Sequence, residues 1–327
     1  MQASEQFFEV KVVEKSHRGT GVVFLTLARP DGAALPPFTA GAHIQLRLPD
    51  GLLRQYSLCG DPARSDSYRL AILASRRSRG GGSYIRDSLQ PGDRVLISAP
   101  RNDFPLAERR GPSLLLAGGI GITPLLAMAL ALKARDREFR LHYLGRPATL
   151  SAFAEQPEFR ALEQHIALHF PRAAAGESDQ RAVLARVLAD GQRRHGRFSL
   201  YYCGSPAFMQ NVRDLCASCA IPAGDCFCES FTPVAVRGEG AFEVEIFSTG
   251  EVIPVPADLS IAEALNQAGV EVEISCGLGI CGACQAGIKA GLPDHRDEYL
   301  SAAEKEANHK IMLCCSRARS ARLVIDL

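Results

Sequence analysis

Cys276, Cys281 and Cys284 form a C-x4-C-x2-C run, and Cys314 follows far downstream as a single fourth cysteine. Four thiolates at this spacing suit the two irons of a plant-type [2Fe–2S] cluster. Three ligands must come from one tight loop. Gly277, Gly279 and Gly282 let that backbone wrap closely and bring amide N–H groups to the sulfurs. Zinc sites usually pair two short Cys/His spacings, which the distant fourth cysteine does not match. Cys315 adjoins Cys314. Neighbours in an extended segment point to opposite sides, so only one of them enters the loop. The ligand set assigned is Cys276, Cys281, Cys284 and Cys314.

A second chemistry is written in glycines. Leu114 to Ala117 is a buried-strand run, Gly118-Gly119-Ile120-Gly121 is a turn, and Thr123-Pro124 opens a helix. Bare glycine amides at a helix N-terminus suit a pyrophosphate. Pro124 stands where the third glycine of a standard dinucleotide fingerprint would be, and proline is favoured in a first helical turn. Tyr202-Cys203-Gly204-Ser205-Pro206 repeats the strand–turn–helix pattern, and two such turns make a crevice for a dinucleotide. An ordinary βα turn remains the bland alternative for either one alone. Cys228-Glu229-Ser230-Phe231 lies at the C-terminal end of the same region. There Glu229 stands equally as a polar group near the reacting pair or as a solvent-facing acid.

A third set lies upstream. In Arg54-Gln55-Tyr56-Ser57, Tyr56 offers a ring to stack on a flavin, Arg54 a charge for phosphate, and Ser57 a hydroxyl near the redox-active nitrogen. Arg79-Gly80-Gly81-Gly82-Ser83 is a glycine-rich turn before a helical segment, the setting of a phosphate cradle or of a plain flexible loop.

Together these residues carry a resemblance to a known family. With them go Pro100-Arg101-Asn102-Asp103-Phe104-Pro105-Leu106, Pro293-Asp294-His295-Arg296-Asp297 and Cys314-Cys315-Ser316-Arg317. The whole chain resembles the phthalate dioxygenase reductase family, the FMN-containing, three-domain reductases of Rieske-type oxygenases. The resemblance implies FMN rather than FAD, held by Arg54 to Ser57, by Ala71-Ile72-Leu73 and by the Arg79–Ser83 loop. It puts Thr123, Cys203 and Gly204 near the nicotinamide, and it favours NADH over NADPH. Catalytic candidates are then Ser57, Thr123, Cys203 and Glu229. The expected partner is a terminal oxygenase, and the expected route is NADH to FMN to cluster to oxygenase. The alternatives are a haem or diiron monooxygenase as partner, or an Fe–S carrier or sensor without NADH turnover. Two positions depart from the family pattern. The phosphate loop has an extra glycine, and Asn102-Asp103 replaces a double asparagine.

These groups need scaffolds. The first hundred residues hold short strand-like runs at Val10–Val13, Val22–Leu27, His43–Leu48, Tyr68–Leu73 and Arg94–Ser98, which implies a small antiparallel β-barrel. After Gly111, strands alternate with helices, which implies a Rossmann-like α/β sheet. Helices are expected over Pro124–Ala134 and Gln210–Ala220, with Phe159–Leu168 partly helical. After the linker, a hairpin around Thr249-Gly250, a helix from Ser260 with Glu263 completing a capping box, and a last strand at Leu323–Asp326 suit an α+β, β-grasp ferredoxin domain. The expected division is 1–108, 109–232, a linker over 233–240, and 241–327.

A net charge of +1 argues against general nucleic-acid binding, and no apolar run is long enough for a bilayer. Met1 to Gln6 lacks the regions of a signal peptide, so a cytoplasmic location is expected. There, eleven cysteines point to metal or redox chemistry rather than disulfides. Cys216, Cys219, Cys226 and Cys228 read as packing cysteines rather than a second metal site. His165 and His169, four apart on an expected helix, lack a third ligand.

Overall fold

The computed structural model describes residues 7–17, 21–49, 53–74, 81–109, 111–170, 176–231, 240–274, 279, 282–297 and 299–327. The chain forms two compact units, Met1–Phe231 and Thr232–Leu327.

Unit 1 begins with β1 (Phe7–His17), β2 (Val22–Ala28), β3 (His43–Arg47), β4 (Leu53–Ser57), β5 (Tyr68–Leu73), α1 (Gly81–Asp87) and β6 (Arg94–Ser98). The strands form one antiparallel sheet in the order β4-β3-β6-β1-β2-β5. A bridge between Leu58 and Leu70 joins the two ends, so the sheet closes into a barrel. Alternation along β2 sends Val23, Leu25 and Leu27 into the barrel core. It sends Val22 and Phe24 outward, into a core shared with the next layer. Phe24 meets Phe153 there edge to face, with centroids 5.1 Å apart. This common core explains why barrel and α/β sheet form one unit.

The α/β part comprises β7 (Ser113–Gly118), α2 (Ile122–Ala134), β8 (Phe139–Leu144), α3 (Pro147–Ala154), α4 (Pro157–Arg160), β9 (Ile166–His169), α5 (Gly176–His195), β10 (Ser199–Gly204), α6 (Pro206–Ser218) and β11 (Cys226–Ser230). All five strands run parallel in the order β11-β10-β7-β8-β9. Side chains of α2, α3 and α4 pack in one core and those of α5 and α6 in another. Buried on most sides, α2 has no polar face.

Two expectations change here. Phe159–Leu168 is a single turn of helix, a 3-10 turn over Glu163–His165, and then β9. Parallel pairing with β8 overrides the local helical preference. His165 and His169 therefore do not share a helix face. His165 stacks on Phe139 and His169 on His142, at 4.5 and 5.2 Å.

Unit 2 comprises β12 (Phe242–Ile246), β13 (Val252–Val255), α7 (Ile261–Gln267), β14 (Gln285–Ala290), β15 (Pro293–Asp294), α8 (Ala302–Ala307), β16 (Lys310–Met312), β17 (Arg317–Ala318) and β18 (Arg322–Asp326). Its main sheet runs β13-β12-β18-β14-β16, with β12 and β18 parallel. Side chains from α7 and the sheet fill one core. Ser260 and Glu263 form the expected capping box, and Ser301 with Glu304 forms another on α8. Arg317 is buried and donates to the carbonyls of Leu259 (2.7 Å), Gly240 (3.1 Å) and Pro256 (3.1 Å). The expected linker, apart from Gly240, lies outside the described residues.

Candidate functional site

The seam where β4 meets β5 opens into a cavity of about 270 Å³. One strand lines it with Arg54, Gln55, Tyr56 and Ser57, and the other with Ala71, Ile72 and Leu73. Gly82 enters from α1, and Ile120 and Thr123 enter from the turn after β7. Phe231, just beyond β11, completes the lining with a half-exposed ring. Burial pushes the Tyr56 phenol up to about 12, so it stays protonated. A Cβ on Gly81 would lie 2.9 Å from Arg54 Cγ, so the bare glycine lets the arginine stem lie against the start of α1. Gly82 and Ser83 sit in the same turn. Arg79 and Gly80 lie outside the described residues. Asn102 donates to Thr39 and Ala40 and so fixes its loop. Asp103 is exposed and does not line the cavity.

The second group comes from strand ends. The parallel register sets Cys203 opposite Glu229. Glu229 is buried, and its Oε2 accepts from Ser57 Oγ at 3.4 Å, so the bond joins barrel and α/β sheet. Cys203 is fully buried, and burial, then the Glu229 charge, pushes its thiol well above the usual range. It is a neutral thiol rather than a nucleophile. Thr123 is buried at the start of α2 and donates to Ile120 O at 3.1 Å. Pro124 is the next residue of that first turn, where no intrahelical N–H bond is lost.

The two glycine turns touch. A Cβ on Gly121 would lie 2.2 Å from Cys203 O, so only glycine permits this approach. Gly118 and Gly204 both press on the Phe208 ring, and Gly119 has open space before it. Ser57, Thr123, Cys203 and Glu229 thus gather at one end of the parallel sheet beside the cavity. Sequence reasoning did not single out Ile120 and Phe231. An aromatic directly after a strand end was the available signal for Phe231.

In unit 2 the antiparallel pairing of β14 with β16, which sets Gln285 opposite Met312, brings the two downstream cysteines together. The Cys314 N–H donates to Cys284 Sγ at 3.4 Å, and Leu313 N–H to Cys284 O at 3.1 Å. An amide aimed at a cysteine sulfur is the contact a thiolate-held cluster requires. Gly279 has φ +73°, and a Cβ there would lie 2.4 Å from Cys315 Sγ, so Cys315 packs against Gly279. Cys276 and Cys281 lie outside the described residues. Among the described residues no three metal-ligating side chains converge. No described helix is long and apolar enough to cross a membrane.

A flavin-type barrel, a parallel nucleotide-type sheet and a cysteine-loop unit in one chain define a class of electron-transfer oxidoreductase. The comparisons with known proteins agree. The family described as the 2Fe-2S iron-sulfur cluster binding domain matches residues 244–319. Vanillate O-demethylase oxidoreductase of Pseudomonas sp. (strain HR199 / DSM 7063) is 42% identical over 94% of this chain and 95% of its own. The structure of phthalate dioxygenase reductase, described as modular for electron transfer from pyridine nucleotides to [2Fe–2S], superposes with a TM-score of 0.72. It is 36% identical and covers 98% of both chains. An intact type IV self-sufficient cytochrome P450 monooxygenase matches 98% of this chain with 41% of its own, at TM-score 0.73 and 31% identity. The chain belongs to the phthalate dioxygenase reductase family.

Proposed function

We propose that this chain is the cytoplasmic reductase component of a Rieske-type oxygenase system. It carries electrons from NADH through FMN to its own [2Fe–2S] cluster and on to the oxygenase. The observation that carries the reading is the cavity at the barrel seam, which gathers Arg54–Ser57, Ala71–Leu73 and Thr123 beside Cys203 and Glu229. These residues fit a flavin and a nicotinamide, and the donors around Cys284 and Cys314 fit a cluster held also by Cys276 and Cys281.

FMN bound here supplies two-electron uptake and one-electron release, and the cluster supplies a one-electron relay. The chain supplies orientation and electrostatics. Arg54 with Gly81, Gly82 and Ser83 would hold the phosphate, and the sequence assigns Arg79 and Gly80 to the same role. Ser57 presents its hydroxyl to the flavin edge, and the Glu229 carboxylate holds that hydroxyl in place. The same carboxylate would lie beside a nicotinamide bound there and would favour positive charge on it. Cys203 offers a neutral, packed surface for the nicotinamide face. Gly119 would leave room for the dinucleotide backbone, Gly118, Gly121 and Gly204 let the two turns and Phe208 pack closely behind it, and Thr123 with Pro124 opens the helix it would meet. Phe231, half-exposed in the cavity lining, would pack against a flavin bound there and limit its contact with water.

The test is truncation together with partner capture. Residues 1–231 should retain a flavin that mass spectrometry reads as FMN, and should reduce ferricyanide with NADH. They should fail with cytochrome c, which draws on the cluster. Loss of FMN from this fragment refutes the assigned boundary, and FAD refutes the assigned flavin. A second reading, a haem monooxygenase as partner, is favoured by the likeness to the self-sufficient cytochrome P450 monooxygenase. The visible spectrum of the co-purifying oxygenase, Rieske or haem, separates the two.

A further inference from the structure

The proposed electron path makes no use of the run Pro293-Asp294-His295-Arg296-Asp297. Its two acids differ. Asp294 is partly exposed and pairs with Arg296 at 2.7 Å and Arg319 at 3.5 Å. Asp297 is buried, with 0% of its side chain exposed. Its Oδ2 accepts from the Leu300 N–H at 2.8 Å, and its Oδ1 from Ser316 Oγ at 3.4 Å. The Lys305 ammonium stands 3.8 Å from Oδ2, and His295 Nδ1 stands 3.7 Å from Oδ1. Lys305 also donates to the Asp297 carbonyl.

Burying a carboxylate costs desolvation that pairing only partly returns, so stability alone does not account for this one. Its location does. Gly279 lies between Cys276 and Cys281 in the ligand loop. A Cβ on Gly279 would lie 2.9 Å from both Cα and Cβ of Asp297, and 2.4 Å from Cys315 Sγ. Asp297 therefore presses on the loop backbone itself. Ser316 Oγ accepts from the Arg296 N–H at 3.2 Å while it donates to Asp297, which ties the acid to the Cys314–Ser316 segment as well. The loop and the downstream segment, which between them carry all the assigned cluster ligands, meet at this one carboxylate.

We propose that Asp297 is a positioning residue of the [2Fe–2S] cluster, which fixes a negative charge against the ligand loop and so lowers the cluster's potential. An electron arriving at the cluster adds negative charge. A carboxylate close by in a poorly screened interior opposes that arrival, and net charge is one of the terms that set a cluster potential. The Lys305 ammonium offsets part of the effect. Asp297 thus makes the reduced cluster a stronger donor to the oxygenase. This role requires the cluster assigned to the proposed electron route.

Redox titration of the whole protein, followed by visible absorbance and electron paramagnetic resonance, reads the cluster apart from turnover. Wild type should show the resonance of a reduced [2Fe–2S] centre. Its absence would remove the cluster and this role together. Asp297→Asn keeps the side-chain shape and loses the charge. Its cluster should keep the wild-type absorbance bands. At a fixed potential its ratio of reduced to oxidised cluster should rise at least about threefold, roughly 28 mV at about 59 mV per tenfold for one electron. Lys305→Met should lower that ratio by about twofold, a smaller effect because Lys305 is partly exposed and screened. A merely structural role would not reverse the sign between the two variants. If Asp297→Asn sheds its cluster, Lys305→Met decides alone, a lowered ratio supporting the proposal and an unchanged or raised one overturning it. With both clusters intact, an unmoved midpoint in Asp297→Asn, or shifts of the same sign in the two variants, would overturn it.

Discussion

Arg317→Met is the substitution that most directly tests how unit 2 is held. The guanidinium is 2% exposed, with its Cζ 4.8 Å from the Phe242 ring centroid. Its donors go to three backbone carbonyls that belong to the entry of the unit and to the turn after β13. Methionine keeps much of the stem volume and removes all three bonds. At about 1 kcal/mol net each, the bonds contribute roughly 3 kcal/mol. The lost cation–π contact adds roughly 0.5–1 kcal/mol. For a unit of this size each kcal/mol moves the midpoint by roughly 4–8 °C, so 3 kcal/mol means roughly 12–24 °C. The assay heats the whole protein, following cluster absorbance for unit 2 and flavin fluorescence for unit 1. Cluster loss should move down and flavin release should not. Arg317→Lys should fall between, because a point charge cannot reach three carbonyls at once. A shift below about 4 °C in Arg317→Met, less than 1 kcal/mol on this scale, would refute the reasoning.

Glu229→Gln and Ser57→Ala should each slow flavin reduction by NADH roughly tenfold or more, the worth of one hydrogen bond to a charged group, with FMN retained; stopped-flow bleaching of the flavin reads this, and wild-type rates would remove the pair from catalysis. Cys314→Ser should abolish the cluster spectrum while Cys315→Ser keeps it, and the reverse would move the ligand by one residue. Burial first, then His169 and Arg140, holds His142 down to about 4. The unfolded chain takes up that proton below about pH 6.5, so stability is full above that pH. It falls by up to roughly 3 kcal/mol as pH drops towards 4. Urea midpoints of wild type and His142→Gln between pH 7 and 4.5 measure this, and parallel pH slopes would count against it.

What was legible in the sequence was what local chemistry dictates. The cysteine spacing, the strand–glycine–helix turns and the Ser260–Glu263 capping box are each contained in a few consecutive residues. Long-range pairing was not legible. Ser57 and Glu229 are 172 residues apart, and no local pattern announces their bond. Strand β9 is four residues long and draws its identity from β8. Among its described residues helix α5 buries a short apolar stripe, Val183, Leu184, Val187 and Leu188, among charged residues, so its period is faint. Phe231 enters the cavity only because β11 lies beside β10, a fact of topology rather than of composition.

The strand order of unit 2 also sets a schedule for biosynthesis. The sheet runs β13-β12-β18-β14-β16, so Arg322–Asp326 fills the gap between β12 and β14. During translation the hairpin, α7 and the cysteine loop all emerge before the strand that joins them. Unit 1, in contrast, has every one of its strands once Ser230 has emerged, and it can fold while the ribosome is still extending the chain. The flavin side therefore matures first. Strands β12 and β14 wait for their shared partner until β18 arrives, so unit 2 closes its sheet only when the chain is nearly finished.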